Sequence, residues 1–349
     1  MKFGLFMLPS WPEPDPKHQS RILGEMMEQI EFAEELGYDS VWLAEHHFTR
    51  YGIVPSAVAM GLHAAGRTKR IRIGTGVSVL TFQNPVFIAE ETAMLDALSN
   101  GRLDFGVGRG QVVYEYGNLK VDYNTRSERF SEILDVILGL WKHPGFSYRG
   151  EFYQVDDMTI APVPVQEPHP PVFLAVSRTP ESVSVAVDRG LPVLTSANIT
   201  DAEALEIRNV YSAVCAEKGA QPLWDDMPYF RKVYVGEDEK SAIEDPREAV
   251  TWVYDLNGYR RTLKGGSEIY YNLDQWITNR PEDPPSYESR LKTTTCFGTP
   301  EQCIKRIRRL RDDHNVHYFG ANMSFGTLEH EKVMRSMELF AKEVMPAFR

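Results

Sequence analysis

Cysteine is scarce in this sequence, which has only Cys215, Cys296 and Cys303 among 349 residues. None of the three forms a CxxC pair, and an odd number argues against a framework of disulfide bonds. Zinc-finger spacings are also missing, and no second cluster of potential ligands accompanies the histidines described below. We therefore expect neither a disulfide-stapled domain nor a bound metal.

Long apolar runs and an excess of positive charge are missing as well. No apolar stretch reaches the 18 or so residues of a membrane span. The apolar start, residues 1–6, is too short for a signal peptide and is predicted to begin a strand. Asp and Glu number 49 against 38 Lys and Arg, for a net charge of −11. An acidic surface disfavours nucleic acid and anionic membranes as partners. We expect a cytoplasmic protein that acts on a small molecule.

What the chain does contain is a regular alternation of buried-strand and amphipathic-helix patterns. Eight strands are predicted, at residues 2–8, 41–43, 71–80, 103–107, 171–176, 191–196, 227–235 and 316–323. Eight strands alternating with helices predict an α/β protein, a (β/α)8 TIM barrel in one domain over residues 1–349. A doubly wound open sheet is the competing fold. It would normally carry a glycine-rich fingerprint after the first strand, and this sequence has none.

Two segments interrupt the alternation. Residues 142–170 contain five prolines and are predicted to be an excursion after the fourth helix, with room for a short hairpin. Residues 256–292, before the eighth strand, are polar and lack clear periodicity. A segment of that kind is usually a mobile lid or a disordered loop. Asp201 is predicted to cap the helix after the sixth strand, because its carboxylate can accept unpaired backbone amides.

The stretch Glu45-His46-His47 follows the second predicted strand, where parallel sheets and barrels place their chemistry. Neighbouring residues of an extended strand end point to opposite faces, so one histidine faces the pocket, joined by Glu45 through a turn. The spacing is not that of a helical HExxH zinc site. A neutral imidazole here can exchange a proton or a hydrogen bond near pH 7. A purely structural histidine is the alternative.

Three other loops carry glycine, arginine or hydroxyl groups. Residues 106–110, directly after the fourth strand, place Arg109 between glycines, which suits a phosphate as well as a tight turn with a surface arginine. Glycines near Gly76 and Val77, at the end of the third strand, indicate a bulge or a close approach. Ser177 and Thr179 precede a helix and serve either anion binding or simple capping. Together the loops suit a flat, phosphorylated cofactor.

A set of collinear motifs adds a resemblance that spans nearly the whole chain. The sequence resembles the bacterial luciferase-like flavin-dependent monooxygenases, especially the catalytic alpha chain of luciferase. The matching stretches are residues 1–6, 45–49 with Gly52, 73–75, 84–86, 101–102, 105–106, 109–110, 190–192, 298–303 and 344–346.

The resemblance implies a TIM barrel that binds reduced FMN supplied by a separate reductase. Oxygen would add to the flavin, and the resulting peroxyflavin would oxygenate a small, mainly apolar organic substrate. By position, His46 matches the family's catalytic histidine, Arg109 its flavin-phosphate arginine and Ser177 a phosphate-binding serine. Gly76-Val77 falls where the family has a non-proline cis peptide beneath the flavin ring. A homodimer through helices near residues 55–98 is also implied.

Some positions depart from luciferase. Gly108 stands where luciferase has a reactive cysteine, and Ser196 where it has a tryptophan near the flavin, so a non-luminescent relative is expected. We place Glu45, Tyr114 and Ser196 in the substrate pocket, and Thr179 beside the phosphate. The alternatives are an F420-dependent oxidoreductase on the same barrel and a flavin-binding relative without turnover. A metal hydrolase is less favoured, because no second ligand cluster is evident.

Overall fold

Strands and helices alternate along the chain in the computed structural model, which describes residues 1–176, 178–267, 269, 273–279 and 285–349. The strands are β1 (Lys2–Met7), β2 (Ser40–Leu43), β3 (Arg72–Thr75), β4 (Ser78–Val79), β5 (Leu103–Gly108), β6 (Phe146–Arg149), β7 (Gln154–Met158), β8 (Val172–Ala175), β9 (Val193–Leu194), β10 (Pro228–Val235), β11 (Thr295–Gly298) and β12 (Tyr318–Ser324).

The helices lie between these strands and after the last one. They are α1 (Pro16–Leu36), α2 (Ala57–Arg67), α3 (Pro85–Leu98), α4 (Val113–Leu119), α5 (Arg126–Lys142), α6 (Pro180–Asp188), α7 (Asp201–Lys218), α8 (Glu239–Glu244), α9 (Arg247–Arg260), α10 (Leu273–Asn279), α11 (Tyr287–Thr293), α12 (Pro300–His314) and α13 (His330–Leu339). None of the described helices is both long and apolar enough to cross a membrane.

One curled parallel sheet organises the fold. Its strands follow the order β11-β10-β12-β1-β2-β3-β5-β8-β9, with β4 beside β5. First and last strands are neighbours, since Phe3 of β1 pairs with Phe319 of β12. The prediction of an α/β protein with a parallel sheet is confirmed. The predicted ring of eight strands differs in detail, because β11 occupies the edge of β10 and the described ladder ends at β9 and β11.

Side chains alternate between the two faces of the sheet. Odd-numbered positions of β1 pack outward against the helices, as Phe3 and Leu5 do. The inner face holds an aromatic layer in which Trp42 meets Phe173 edge-on at 4.9 Å and Phe230 at 5.8 Å. Gly74 of β3 lies against the Trp42 indole, which a side chain at that position would overlap. This layer fills the inside of the curl and forms the floor of the space at the strands' carboxyl ends.

The third predicted strand is split. β3 ends at Thr75, the Gly76-Val77 peptide bond is cis, and β4 begins at Ser78. The cis bond lies where the resemblance implied it. Its position is at the carboxyl end of the sheet, above the aromatic layer.

The capping prediction for α7 is wrong by one residue. Thr200 is the cap and accepts the amide of Glu203, while Asp201 is the first helical residue. The Asp201 carboxylate instead binds Arg231 at 2.7 Å and Arg306 at 2.6 Å. A threonine directly before an aspartate offered two possible caps. The carboxylate of Asp201 is engaged by the two arginines, which leaves the uncharged Thr200 hydroxyl to cap the helix.

The two predicted interruptions contain regular structure. The excursion holds the antiparallel hairpin β6–β7. Within residues 256–292, α9 continues to Arg260, and α10 and α11 follow, so the expectation of a structureless loop is wrong for the described part. Residues 268, 270–272 and 280–284 of the predicted lid lie outside the described residues, and its mobility stays a prediction. One face of α9 packs on the ends of β1 and β2 through Val253 and Leu256.

Candidate active site

His46 lies at the carboxyl end of the sheet between an acid and a base. Its Nδ1 is 3.3 Å from Nη2 of Arg260 and 3.6 Å from Oε1 of Glu115. Arg260 ends α9 and Glu115 lies on α4, and their charged atoms approach to 3.5 Å. Both side chains are only 2 % exposed. Two helices inserted after different strands therefore fix one histidine of the second strand.

This setting keeps the His46 imidazole neutral. Burial is the main cause that lowers its pKa, and the Arg260 charge adds to it, together outweighing the Glu115 carboxylate. The pKa of Glu115 is also lowered, because His46, Arg260 and the His47 amide outweigh its burial. A neutral ring near a fixed carboxylate and guanidinium can hold or exchange a proton near neutral pH.

His47 and Glu45 form a separate pair behind His46. The Glu45 carboxylate accepts the amide of Ala57 at 3.2 Å and that of Val79 at 3.0 Å, and it lies 3.7 Å from His47 Nε2. Burial lowers the pKa of His47, but the carboxylates of Glu45 and Glu115 raise it by a larger amount, so the pKa is raised overall. The Glu45 side chain thus joins β2 to α2 and to β4. Its predicted place in the substrate pocket stays a prediction.

Tyr114 and Tyr51 surround the Arg260 guanidinium. The Tyr114 hydroxyl accepts from Arg260 Nε and donates to the His47 carbonyl, both at 3.2 Å. The guanidinium carbon lies 4.4 Å from the Tyr51 ring centroid. Asn198 Nδ2 donates to the Tyr51 hydroxyl at 2.6 Å, and its backbone amide donates to Ser196 Oγ at 3.2 Å. Of the predicted substrate residues, Tyr114 is therefore buried in this network, whereas Ser196 is exposed at its edge.

Arg109 follows β5 directly, and a second arginine, Arg126, is near enough for its charge to affect Arg109. Nη1 of Arg109 donates to Ser127 at 3.0 Å, and the Arg126 guanidinium lies 3.9 Å over the Tyr123 ring. Burial and the charge of Arg126 lower the pKa of Arg109. Two guanidiniums that affect each other's charge, with no salt bridge to a carboxylate among the described residues, favour a dianionic group such as a phosphate.

The other predicted phosphate residues precede α6. Thr179 caps that helix by accepting the Ser182 amide at 3.4 Å, and it is exposed. Ser177 lies outside the described residues, so its contribution stays a prediction. The α6 start nevertheless follows β8, adjacent to β5 and the arginine pair in the sheet. The positive end of the helix dipole at that start favours an anion nearby.

Small residues leave a flat surface between these two groups. A Cβ at Gly108 would lie 2.8 Å from Val77 Cγ2, and one at Gly76 would lie 3.0 Å from the Phe6 ring. Side chains there would fill the space above the cis peptide. Arg109 and Arg126 at one end, and a surface formed by two glycines and Val77 at the other, fit the phosphate and the planar ring of FMN. No group of three or more metal-ligating residues occurs in the described ranges.

A separate cavity of about 500 Å³ lies between α1, α9 and the loops after β1 and β12. Its lining includes Trp11, Gln29, Trp252 and Phe325. None of the residues that the sequence predicted for the site is among them. Phe325 also belongs to the apolar cluster under α9, so this cavity is adjacent to the site rather than part of it.

The fold and these residues define an α/β protein with a candidate ligand site at the carboxyl ends of a curled parallel sheet. A sequence model of the luciferase-like monooxygenases matches residues 1–314. The chain is 30% identical to the flavin-dependent trigonelline monooxygenase, oxygenase component, of Acinetobacter baylyi, over 100% of this chain and 96% of that one. This chain belongs to the luciferase-like monooxygenase family, and the predicted resemblance is confirmed.

Solved structures agree with this assignment. The monooxygenase RslO1 from Streptomyces bottropensis superposes with a TM-score of 0.85 at 25% identity, covering 100% of both chains. The oxygenating constituent of 3,6-diketocamphane monooxygenase from Pseudomonas putida, in complex with FMN, has a TM-score of 0.81 at 18% identity, over 100% of this chain and 99% of that one. The second likeness bears on the fold alone.

The site residues that were not found from the sequence include Glu115, Arg260 and Asn198, as well as Arg126 beside Arg109. Glu115 lies in α4, a helix of seven residues that was not predicted. Arg260 lies in the polar segment assigned to the lid, and Asn198 in a loop without a motif. Glu115 and Arg260 are charged residues in the first or last turn of a helix. Such residues are too common in a sequence to single out one position.

Proposed function

We propose that this protein is the oxygenase component of a two-component monooxygenase that uses reduced FMN and O2 on a small organic substrate. The observation that carries the proposal is the half-buried, neutral His46 held by the buried side chains of Arg260 and Glu115, beside a flat floor that leads to Arg109 and Arg126. Family membership supports a flavin and an oxygenation. The relative from Acinetobacter, described as an oxygenase component, supports a separate reductase.

Reduced FMN, when bound, supplies the electrons that activate oxygen. In this proposal Arg109 and Arg126 hold its phosphate, aided by Thr179 and Ser177 at the start of α6. Gly76, Val77 and Gly108 would line the place of its ring. The curled sheet would then serve as the barrel of this family, with the residues that hold the cofactor at the strands' carboxyl ends.

His46 has the proton-handling role. Arg260 donates into Nδ1, which favours the ring proton on Nε2, where it can be donated to a reacting oxygen. Arg260 and Tyr114 exclude water from the inner side of the His46 imidazole. Exclusion of water matters because a reactive oxygen species bound in a site is otherwise lost to hydrolysis or proton leakage.

We also propose a homodimer through α3. This helix exposes Phe87 (64 %) and Leu98 (63 %), with Met94 between them. Large apolar side chains exposed on one helix are typical of an interface with another chain. The departures at Gly108 and Ser196 support a non-luminescent enzyme.

The test is a comparison of cofactors followed by product analysis. Oxidised FMN, reduced FMN and reduced F420 are titrated anaerobically, and the protein is then mixed with an FMN reductase, O2 and a substrate panel. We expect FMN forms to bind better than F420, and one oxygen atom to enter a product. Preferential F420 binding with substrate oxidation but no oxygen insertion would favour the deazaflavin alternative. Bound reduced FMN that reacts with O2 as free FMN does would favour the binding-only alternative.

A further inference from the structure

Lys232 is a buried cation on the inner face of the sheet. It follows Phe230 of the aromatic layer by two positions on β10, so its side chain lies on the same face, one step nearer the strand ends. The residue is only 2 % exposed. Its Nζ donates to Oδ1 of Asn198 and lies 4.7 Å from the Tyr254 ring centroid.

No carboxylate of the described residues neutralises this ammonium. The charged groups around it are cationic: Arg231 on the same strand and Arg290 on α11, while Tyr254 of α9 and Asn198 are neutral. Arg231 has its own partner in Asp201, at 2.7 Å. Burial, with the charges of Arg290 and Arg231, lowers the pKa of Lys232 to about 7. A buried ammonium without a counter-charge is unfavourable, so the site favours an added anion.

Lys232 still has hydrogen-bonding capacity. An ammonium has three donors, of which Asn198 takes one and the Tyr254 ring attracts another. The third is available to an oxygen of a ligand. Asn198 also connects this group to the catalytic side of the site, because it donates to Tyr51, whose ring lies against Arg260.

This cation is separate from the one assigned to the cofactor phosphate. Arg109 follows β5 and Lys232 lies on β10, and the strands β3, β2, β1 and β12 lie between them in the sheet. The two cations therefore belong to strands that are not neighbours in the sheet. An FMN phosphate at Arg109 therefore leaves Lys232 for a different anion.

We propose that Lys232 and Asn198 form a subsite for a carboxylate on the organic substrate. The inference rests on the proposed function, since it assigns the substrate of that site. The apolar body of the substrate lies over the aromatic floor, and its carboxylate supplies the counter-charge that the buried ammonium lacks. The geometry thus favours small organic acids over neutral aldehydes, alkanes or terpenes.

The experiment uses matched acid and amide pairs on the full-length protein, with and without added FMN. Benzoate with benzamide, and hexanoate with hexanamide, are titrated by calorimetry against wild type, Lys232→Met and the exposed control Lys305→Met. Wild type and Lys305→Met are expected to prefer each acid by about tenfold or more. Lys232→Met is expected to lose that preference while its affinity for the amides is kept. Methionine is similar in volume and removes a buried charge, which proteins usually tolerate.

A pH series on wild type gives an independent measurement. Because the ammonium must be protonated to bind an anion, acid affinity should fall about tenfold per pH unit above about 7, and amide affinity should not. Equal affinities for acid and amide would overturn the subsite, and so would an acid preference that survives in Lys232→Met. Chloride that displaces the acids as well as another carboxylate does would also overturn it, because the site would then bind an adventitious ion only.

Titration of FMN on the same samples separates the two proposals. FMN binding without an acid preference leaves the proposed function intact and removes the subsite. An acid preference in protein that does not bind FMN keeps the subsite and removes the proposed function.

Discussion

Arg260 Nη2 lies 3.3 Å from His46 Nδ1, although the two residues are 214 positions apart in the chain. A guanidinium has only donors, so Nδ1 must accept, and the ring proton is directed to Nε2. The contact therefore sets the tautomer, and the Arg260 charge adds to burial in keeping the imidazole neutral. It also makes α9, which ends at Arg260, part of the site.

Replacing His46 by Ala should lower product formation by on the order of 10²- to 10⁴-fold, the usual contribution of a positioned acid or base. FMN affinity should change little, because His46 is not one of the residues proposed to bind the phosphate. Stopped-flow oxidation of reduced FMN and mass spectrometry of products measure the two steps. The exposed His63→Ala variant is the control, and full activity of His46→Ala would remove the assigned role.

Glu115→Gln should destabilise the fold by about 3 to 5 kcal/mol, because it leaves Arg260 buried without its carboxylate. Urea denaturation followed by tryptophan fluorescence measures the change. Glu288→Gln, which alters an exposed pair with Arg247, is the control and should be close to wild type. A double variant with Arg260→Met should recover part of the loss; no recovery would mean that the two charges are not coupled.

Arg109→Gln should weaken FMN binding about tenfold to a hundredfold, the usual range for a charged hydrogen bond to phosphate. Riboflavin has the same ring without the phosphate, and its affinity should stay constant. Fluorescence titration of both ligands tests this directly, with exposed Arg149→Gln on the β6–β7 hairpin as control. An equal loss for riboflavin and FMN would assign Arg109 to the fold instead of the phosphate.

The two adjacent histidines should affect stability in opposite directions with pH. The pKa of His46 is lowered from 6.5, so its stabilising effect is present above about 6.5 and declines as pH falls below that value. The pKa of His47 is raised, so its effect is complete below about 6.5 and declines as pH rises through the folded-state value. Unfolding free energies of wild type, His46→Gln and His47→Gln between about pH 5 and about pH 8 measure both. Parallel curves for the two variants would contradict the assignment.

Phe87→Lys should shift a dimer toward monomer in analytical ultracentrifugation, because a charge would be buried at the proposed α3 interface. Val163→Lys changes another exposed apolar side chain, 54 % exposed, in the loop after β7. This control should leave the assembly unchanged. Equal sedimentation of both variants and wild type would place the interface elsewhere.

Much of the fold follows from local sequence signals. Strands such as β5 and β10 are short apolar runs bounded by turns, and helices such as α5 have apolar residues at helical spacing, so both types were predicted. Helices α10 and α11 were missed because their composition is polar and tertiary packing stabilises them. The split after Thr75 was not predicted as a strand break because Val77, Val79 and Leu80 continue the apolar pattern.

The site was predictable only in part, for a related reason. His46 and Arg109 follow strands directly, and parallel strands end at the same edge of a sheet. Glu115, Arg260 and Lys232 lack such a marker. The partners of Glu115 and Arg260, and the lack of a paired carboxylate at Lys232 among the described residues, depend on which helices cover the open end. No local pattern encodes that arrangement.

The strand β11 has a consequence for how this scaffold can vary. Val235 of β10 pairs with Gly298 of β11, so the chain leaves the sheet after β10 and returns to the same edge. The intervening helices, including those bearing Arg260 and Arg290, are anchored at two adjacent points. If the proposed function holds, exchange of that whole insert between homologous enzymes would replace the helices that bear Arg260 and Arg290 while leaving Arg109 and the Gly76-Val77 segment as they are, which makes the insert a natural unit for altering substrate preference.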